Sequence, residues 1–217
     1  MKVLIACEES QRVCIAFREK GHEAYSCDIL EPSGGHPEWH IHGDVLRVIG
    51  GGTVTTMDGK THDIGKWDMM IAHPPCTYLS AAGACRMYPR KGEIDAARLE
   101  KAMAAKAFFM TLLNADIPRI AVENPKPLSV VKLPQKSQTI QPYEYGEPYS
   151  KRTLLWLKGL PPLKPTNIVN PICSYVSGGS KRADGSLRLN KGTKIRSSIE
   201  RSKTFIGIAQ AMAEQWG

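Results

Sequence analysis

The 217-residue sequence has no long apolar run, no paired-cysteine motif and few aromatic residues. No apolar stretch approaches the roughly 20 residues of a membrane-spanning helix, so no membrane partner is expected. None of the six cysteines belongs to a Cys-x-x-Cys pair, which makes a structural zinc site a poor interpretation. Aromatic residues form only 7% of the chain, so a surface that stacks many bases on many rings is not indicated.

The first residues, Met1-Lys2-Val3-Leu4-Ile5, are too short an apolar run and too soon charged for a secretory signal. We therefore expect a cytoplasmic location with free thiols. A group of histidines lies close together in sequence without a recurring ligand spacing, so no metal is expected. These histidines are His36, His40, His42 and His62.

Positive charge is in excess. The chain has 29 Lys and Arg against 21 Asp and Glu, a formal net charge of +8, which favours a polyanionic partner. Residues 180–203 contain many Lys and Arg but only two acids, Asp184 and Glu200. This basic tract is either a solvated flexible loop or an arm that contacts phosphates.

Hydrophobic periodicity predicts alternating strands and helices. The predicted strands cover residues 3–6, 24–29, 69–72, 117–122 and 153–157, with a short strand or loop at 40–45, a hairpin at 50–66, and helices at 10–20, 94–114 and 205–216. Residues 125–150 are rich in proline and predicted to be irregular. The alternation indicates an α/β three-layer sandwich with a mostly parallel sheet.

No clean domain boundary interrupts this pattern. We expect a core over residues 1–162, a small basic appendage over residues 163–202 that contacts DNA if the chain binds it, and a terminal helix over residues 203–217 that returns to the core.

Two apolar strands end in residues that can carry chemistry. The predicted strand 69–72 is followed by His73-Pro74-Pro75-Cys76, and two prolines cannot continue a sheet. The cysteine is therefore presented at the carboxyl end of a strand, where open α/β sheets place their sites. The strand 117–122 ends in Glu123-Asn124-Pro125. A thiol and a carboxylate at strand ends suggest a nucleophile with a general acid, whereas a lone cysteine after two prolines is more often structural.

The motifs Pro75-Cys76, with Ser80 four residues on, and Glu123-Asn124-Pro125 resemble those of DNA cytosine-5 methyltransferases. The match is to a short form of the kind carried by phages and prophages, and the motif order, the preceding strands and the intervening helix agree. The resemblance implies a Rossmann-like methyltransferase fold, S-adenosylmethionine as cofactor, DNA as partner, and the cytoplasm of a bacterial or phage-infected host cell.

The resemblance also assigns residues. It implies a covalent adduct of Cys76 with carbon 6 of cytosine, contacts of Glu123 with the ring, and backbone positioning by Asn124. Lys151-Arg152-Thr153 resembles the basic motif whose arginine holds the target base, so Arg152 completes the catalytic set. The implied cofactor-binding residues are Cys7, Glu8, Asp28, Ile29, Asp44 and Pro74, with Asp28 at the ribose and Asp44 at the adenine.

The chain departs from the family after its first strand. The family has a glycine-rich loop there, and this chain has Cys7-Glu8-Glu9-Ser10-Gln11-Arg12. Some of these residues also have structural interpretations: Asp28 and Asp44 suit caps of turns, and the acids of this loop suit a helix N-terminus.

Three other functions stay open for the chain as a whole. They are an amino methyltransferase, another pyrimidine-modifying enzyme, and a non-catalytic DNA-binding relative.

Overall fold

The computed structural model describes residues 1–175 and 198–217. Most of the basic tract falls outside these residues, so its assigned role in DNA binding stays a prediction. The three-part division of the chain also stays a prediction. In the described residues, no helix is both long enough and apolar enough to cross a membrane.

Within the described residues, the strands are β1 (Lys2–Ala6), β2 (Glu23–Asp28), β3 (His40–His42), β4 (Gly52–Thr55), β5 (Thr61–Gly65), β6 (Met69–Ala72), β7 (Arg119–Asn124), β8 (Gln138–Ile140), β9 (Tyr149–Ser150), β10 (Thr153–Lys158) and β11 (Cys173–Ser174). Seven of them form the central sheet, in the order β3-β2-β1-β6-β7-β10-β8. The helices are α1 (Arg12–Glu19), α2 (Ala84–Met87), α3 (Ala96–Leu113), α4 (Ser198–Ser202) and α5 (Ile206–Trp216).

Helices cover both faces of this sheet because successive side chains of its buried strands point to opposite sides. Val3 of β1 packs in one apolar cluster with Phe17 of α1 and Met212 of α5. Leu4, the next residue, packs in a second cluster with Phe109 of α3, and the β4–β5 hairpin contributes to the same cluster. The predicted α/β three-layer sandwich with a mostly parallel, Rossmann-like sheet is confirmed.

One edge of the sheet collects the functional candidates. β1, β2, β3, β6 and β7 run parallel, so their carboxyl ends lie along the same edge. β10 is antiparallel to β7, with Leu154 opposite Asn124, so the residues that precede β10 reach this edge as well. The strand order changes direction between β1 and β6, and ligands of open α/β sheets bind outside the carboxyl ends at such a point.

Some elements differ from the prediction. β8 lies within the proline-rich stretch that was predicted to be irregular, and it is only three residues long. Its pairing with β10, rather than local propensity, fixes it as an edge strand. α3 begins at Ala96, two residues later than predicted, because the Asp95 side chain accepts the N–H of Arg98 at 2.7 Å and caps the helix.

The loop between β1 and α1 adopts glycine-like conformations without glycine. Cys7 and Gln11 have φ angles of 59° and 56°, in the left-handed region. The fully buried amide of Gln11 donates to the His36 carbonyl at 2.8 Å and accepts the His36 N–H at 3.1 Å. Gly34 approaches this clamp so closely that a Cβ added to it would lie 2.6 Å from the Gln11 Cβ. The loop that contains Gly34 and His36 thus holds the glycine-free loop between β1 and α1 in place.

We predict that Gly34→Ala lowers the free energy of unfolding by roughly 1–3 kcal/mol, because overpacking must push the two loops apart. Urea unfolding midpoints measure the change. Gly50→Ala is the matched control, since its added Cβ would have no neighbour within 4 Å. Equal midpoints for the two variants would show that the loops are not tightly packed.

Candidate active site

The turn after β6 presents Cys76 to solvent. The His73 N–H still bonds the Ala6 carbonyl at 2.9 Å, and the two prolines then take the chain out of the sheet. The Asn124 side chain donates to the Pro74 carbonyl at 2.9 Å, which fixes the turn to the end of β7. The Cys76 residue is exposed, so this arrangement leaves its thiol accessible.

Glu123 lies beside this turn and is bound by a histidine. Ala72 of β6 is paired with Val122 of β7, so the next residue of each strand, His73 and Glu123, are also neighbours. His73 Nδ1 lies 3.2 Å from Glu123 Oε2. The two side chains are 8% and 17% exposed, respectively, so the carboxylate keeps a limited opening to solvent.

The protein keeps Glu123 in its charged form. Burial acts to raise the pKa of Glu123, but the hydrogen bond from His73 and the positive charges of Lys151 and His73 act against it, and the net effect is a lowered pKa. An ionised carboxylate only accepts hydrogen bonds, so the His73 nitrogen that faces it carries a proton. Glu123 is therefore a carboxylate at neutral pH, held by a donor.

Glu123 in turn acts on the thiol. Burial by surrounding protein atoms and then the negative charge of Glu123 raise the pKa of Cys76, while Lys151 and Arg201 oppose the rise. The two groups belong to one site, in which the resting cysteine is a neutral thiol.

The two basic residues before β10, Lys151 and Arg152, lie in different environments. Lys151 is half-buried, donates to the Arg201 carbonyl at 2.8 Å, and acts electrostatically on both Cys76 and Glu123. Arg152 is exposed and, within the described part of the chain, forms no hydrogen bond or ion pair. Lys151 is thus the cation of this pair that influences the site, and the role of Arg152 stays a prediction.

Candidate cofactor residues lie at the ends of β1, β2 and the segment after β3. Burial, Asp28 and Asp44 all raise the pKa of Cys7, so the two carboxylates lie in its electrostatic environment. Each carboxylate accepts a backbone N–H two residues ahead, at 3.0 Å from Leu30 and from Leu46. Both acids therefore form the turns expected from their structural interpretation, and each uses only one oxygen in doing so.

The remaining cofactor candidates differ in accessibility. Ile29 is 71% exposed beside Asp28, whereas Pro74 is buried. Glu8 is also buried, and its two oxygens accept the N–H groups of Val13 and Cys14 at 2.8 and 3.2 Å, at the start of α1. Glu8 thus serves the helix N-terminus, and its proposed contact with a cofactor stays a prediction.

The chain segment around α4 joins the two sides of the site. Lys203 contacts the Ser33 hydroxyl at 2.8 Å and Glu9 at 3.8 Å on the side of the β1–α1 loop. Arg201, on the same segment, binds Lys151 through its carbonyl and influences Cys76 through its charge. This C-terminal strap, residues 198–204, therefore touches both the thiol side and the loop side of the sheet edge.

His73 was missed as a candidate in the sequence. Its Nε2 is buried and has no hydrogen-bond partner in the described residues, while its charge lowers the pKa of the buried Glu8 against the larger effect of burial. The imidazole therefore contacts Glu123 and acts electrostatically on Glu8. The sequence did contain a signal for His73, because a residue that directly follows a buried strand lies at the carboxyl edge of a parallel sheet, where sites are placed.

No family model and no curated protein matches the chain. Among solved structures, the chain is similar to an Escherichia coli protein described provisionally as a DNA modification methyltransferase encoded within a prophage. The two share 12% identity with a TM-score of 0.44, over 78% of this chain and 52% of that one. The chain therefore spans about half the length of that structure.

We predict that Glu123→Gln increases the thiolate fraction of Cys76, because it removes the negative charge that raises the pKa of this thiol. Alkylation by iodoacetamide between about pH 6 and 9, followed by peptide mass spectrometry, should show faster modification of Cys76 at each pH below its pKa. Cys85, which is also exposed, serves as the internal reference. An unchanged ratio of the two rates would mean that Glu123 does not act on the thiol.

Proposed function

We propose that the protein is an S-adenosylmethionine-dependent methyltransferase that acts on carbon 5 of cytosine in DNA. The observation that carries this proposal is the exposed Cys76 on the turn after β6, next to the end of strand β7, which carries the Glu123 carboxylate, at the carboxyl edge of a Rossmann-like sheet. This arrangement supports covalent chemistry on a flat, polar ring, since a nucleophile and a carboxylate that accepts hydrogen bonds lie at neighbouring strand ends.

Carbon 5 of cytosine is too weak a nucleophile to take a methyl group unaided. Addition of the Cys76 thiolate to carbon 6 converts the ring to an enamine, and carbon 5 then becomes reactive. As the thiolate adds, ring nitrogen 3 takes up the proton that the thiol has lost. The Glu123 carboxylate accepts hydrogen bonds from this N–H and from the exocyclic amine, which offsets the charge that develops on addition. Loss of the proton from carbon 5 afterwards allows the thiol to leave. In duplex DNA, the base must first be extruded, at a cost of roughly a few kcal/mol.

The resting charge distribution suits an enzyme whose nucleophile is activated by substrate. In the free protein, Glu123 disfavours the thiolate. A cytosine bound to Glu123 through hydrogen-bond donors shares that negative charge and weakens its effect on the sulfur. Lys151 and Arg201, which favour the thiolate, then have the greater influence. We infer that the target base itself promotes ionisation of Cys76.

The end of β2 and the turn after β3 suit the adenosine part of the cofactor. Asp28 and Asp44 each have a carboxylate oxygen beyond the one that forms their turn, and a carboxylate accepts the hydroxyl or amine hydrogens of a nucleoside. The exposed side chain of Ile29 offers an apolar surface for a base. S-Adenosylmethionine supplies the methyl group when it is bound. Cys7, in its left-handed conformation, lies between this region and β6.

His73 is the positioning residue of this site. Its Nδ1–H donates to Glu123, which directs the carboxylate and supports its charge. The imidazole is buried, and precise placement of reacting groups is worth orders of magnitude in rate.

We predict that Cys76→Ser abolishes transfer of tritiated methyl groups from S-adenosylmethionine to DNA. DNA that contains 5-fluorocytosine should trap the wild-type protein in a covalent adduct, because fluorine at carbon 5 cannot leave as a proton does. Cys85→Ser is the matched control and should form the adduct at the wild-type rate. Methyl transfer by Cys76→Ser, or methylation of exocyclic amines in the product, would contradict the proposal.

We predict that His73→Leu slows adduct formation by roughly tenfold to a hundredfold. The acidic limb of its pH profile should move to higher pH, because Glu123 loses the hydrogen bond that lowers its pKa. His73→Asn keeps a donor near the position of Nδ1 and should restore most of the rate. If His73→Leu is folded by circular dichroism and has the wild-type profile, His73 does not position Glu123.

A further inference from the structure

A basic pocket lies next to the Cys76 turn and is not used by the proposed chemistry. Its volume is about 240 Å³, and it is lined by Tyr78, Arg86, Asp95, Ala97, Arg98 and Lys101. These residues come from the turn after β6, from α2, and from the start of α3 with its cap. The pocket thus lies where three separate segments meet beside the nucleophile.

Direct contacts attach this basic pocket to the catalytic turn. Arg98 donates to the carbonyl of Thr77 at 3.0 Å, and Thr77 directly follows Cys76. The guanidinium carbon of Arg98 lies 5.2 Å from the centre of the Tyr78 ring, and Lys101 Nζ lies 5.7 Å from the same centre. One aromatic ring therefore holds two cations close together, two residues from the thiol.

Positive charge in the basic pocket is not balanced by the protein. Asp95 is its one acidic lining residue, and an oxygen of Asp95 already caps α3. Within the described residues, Arg86, Arg98 and Lys101 form no ion pair, and Arg98 Nε is buried without a partner. Like charges held near one ring repel each other, and an anion bound between them would relieve that repulsion.

We propose that the basic pocket binds a phosphodiester group of the DNA strand that carries the target base. This inference rests on the proposed function, since it takes the target nucleotide to be at Cys76. Consecutive Cα atoms are about 3.8 Å apart, so Tyr78 lies within roughly 8 Å of Cys76. A base that is extruded by rotation about its backbone leaves its flanking phosphates near the mouth of the site, and phosphate contacts set the register of the strand.

The test compares two double variants that remove equal charge. Arg86→Gln with Lys101→Gln alters the basic pocket and leaves Arg98, which holds the catalytic turn, in place. Lys66→Gln with Lys136→Gln is the control, because these exposed lysines precede β6 and β8 at the opposite edge of the sheet. Before S-adenosylmethionine is added, fluorescence anisotropy with a labelled 5-fluorocytosine oligonucleotide, between about 50 and 200 mM NaCl, gives the affinity and its salt dependence. S-Adenosylmethionine is then added so that the adduct can form.

For the pocket variant we expect a Kd raised roughly tenfold at the lowest salt concentration, and a plot of log affinity against log salt that is shallower by about 1 to 2. The control should match the wild type. Equal slopes for the two double variants, or binding by the wild-type protein without salt dependence, would overturn the inference. Adduct formation is scored on the same samples: a shallower slope without any Cys76 adduct would retain the phosphate site and reject the proposed chemistry.

Discussion

The hydrogen bond from Asn124 to the Pro74 carbonyl is the contact on which the site depends. Pro74 and Pro75 have no N–H groups, so the turn that carries Cys76 cannot be tied to the sheet by donors of its own. A side-chain amide from the neighbouring strand supplies the missing link at 2.9 Å. The parallel pairing of β6 with β7 brings the two strand ends together, with His73 beside Glu123. The bond from Asn124, together with that from the Ala81 N–H to the Lys126 carbonyl at 2.8 Å, then holds the turn with its thiol against the end of β7.

Electrostatic balance distinguishes the resting site from a preformed thiolate centre. Burial and Glu123 hold the sulfur in its neutral form, and two cations nearby oppose them. Oxidation of cysteine follows its thiolate character and its exposure. An exposed cysteine that is held in its neutral form is therefore protected from oxidation. For the same reason, reagents that modify thiols react slowly with Cys76, although it lies at the surface.

Many of the residues at the carboxyl edge of the sheet could be predicted from the sequence, because their positions depend on local signals. An apolar run that ends in two prolines, and another that ends in an acid and an amide, place Cys76, Glu123 and Asn124 at strand ends. β8 could not be found this way, since three residues carry too little periodicity and only β10 fixes them. The conformation of the glycine-free β1–α1 loop could not be predicted from the sequence either. Its left-handed residues are stabilised by bonds between Gln11 and His36, 25 positions away, and such partners are visible only after folding. The same applies to the choice of Lys151 over Arg152 as the cation that acts on the thiol, which depends on which side chain the strap contacts.

The long-range contacts of the C-terminal strap have a consequence for how the protein folds. Arg12 donates to the Thr204 carbonyl, a contact between residues 192 positions apart, and Lys151 binds the strap from 50 positions away. Closing such long loops is slow compared with forming neighbouring helices and strands. The sheet edge with its thiol and its acid can therefore form before the strap docks, and the contact that joins this edge to the β1–α1 loop forms late in folding.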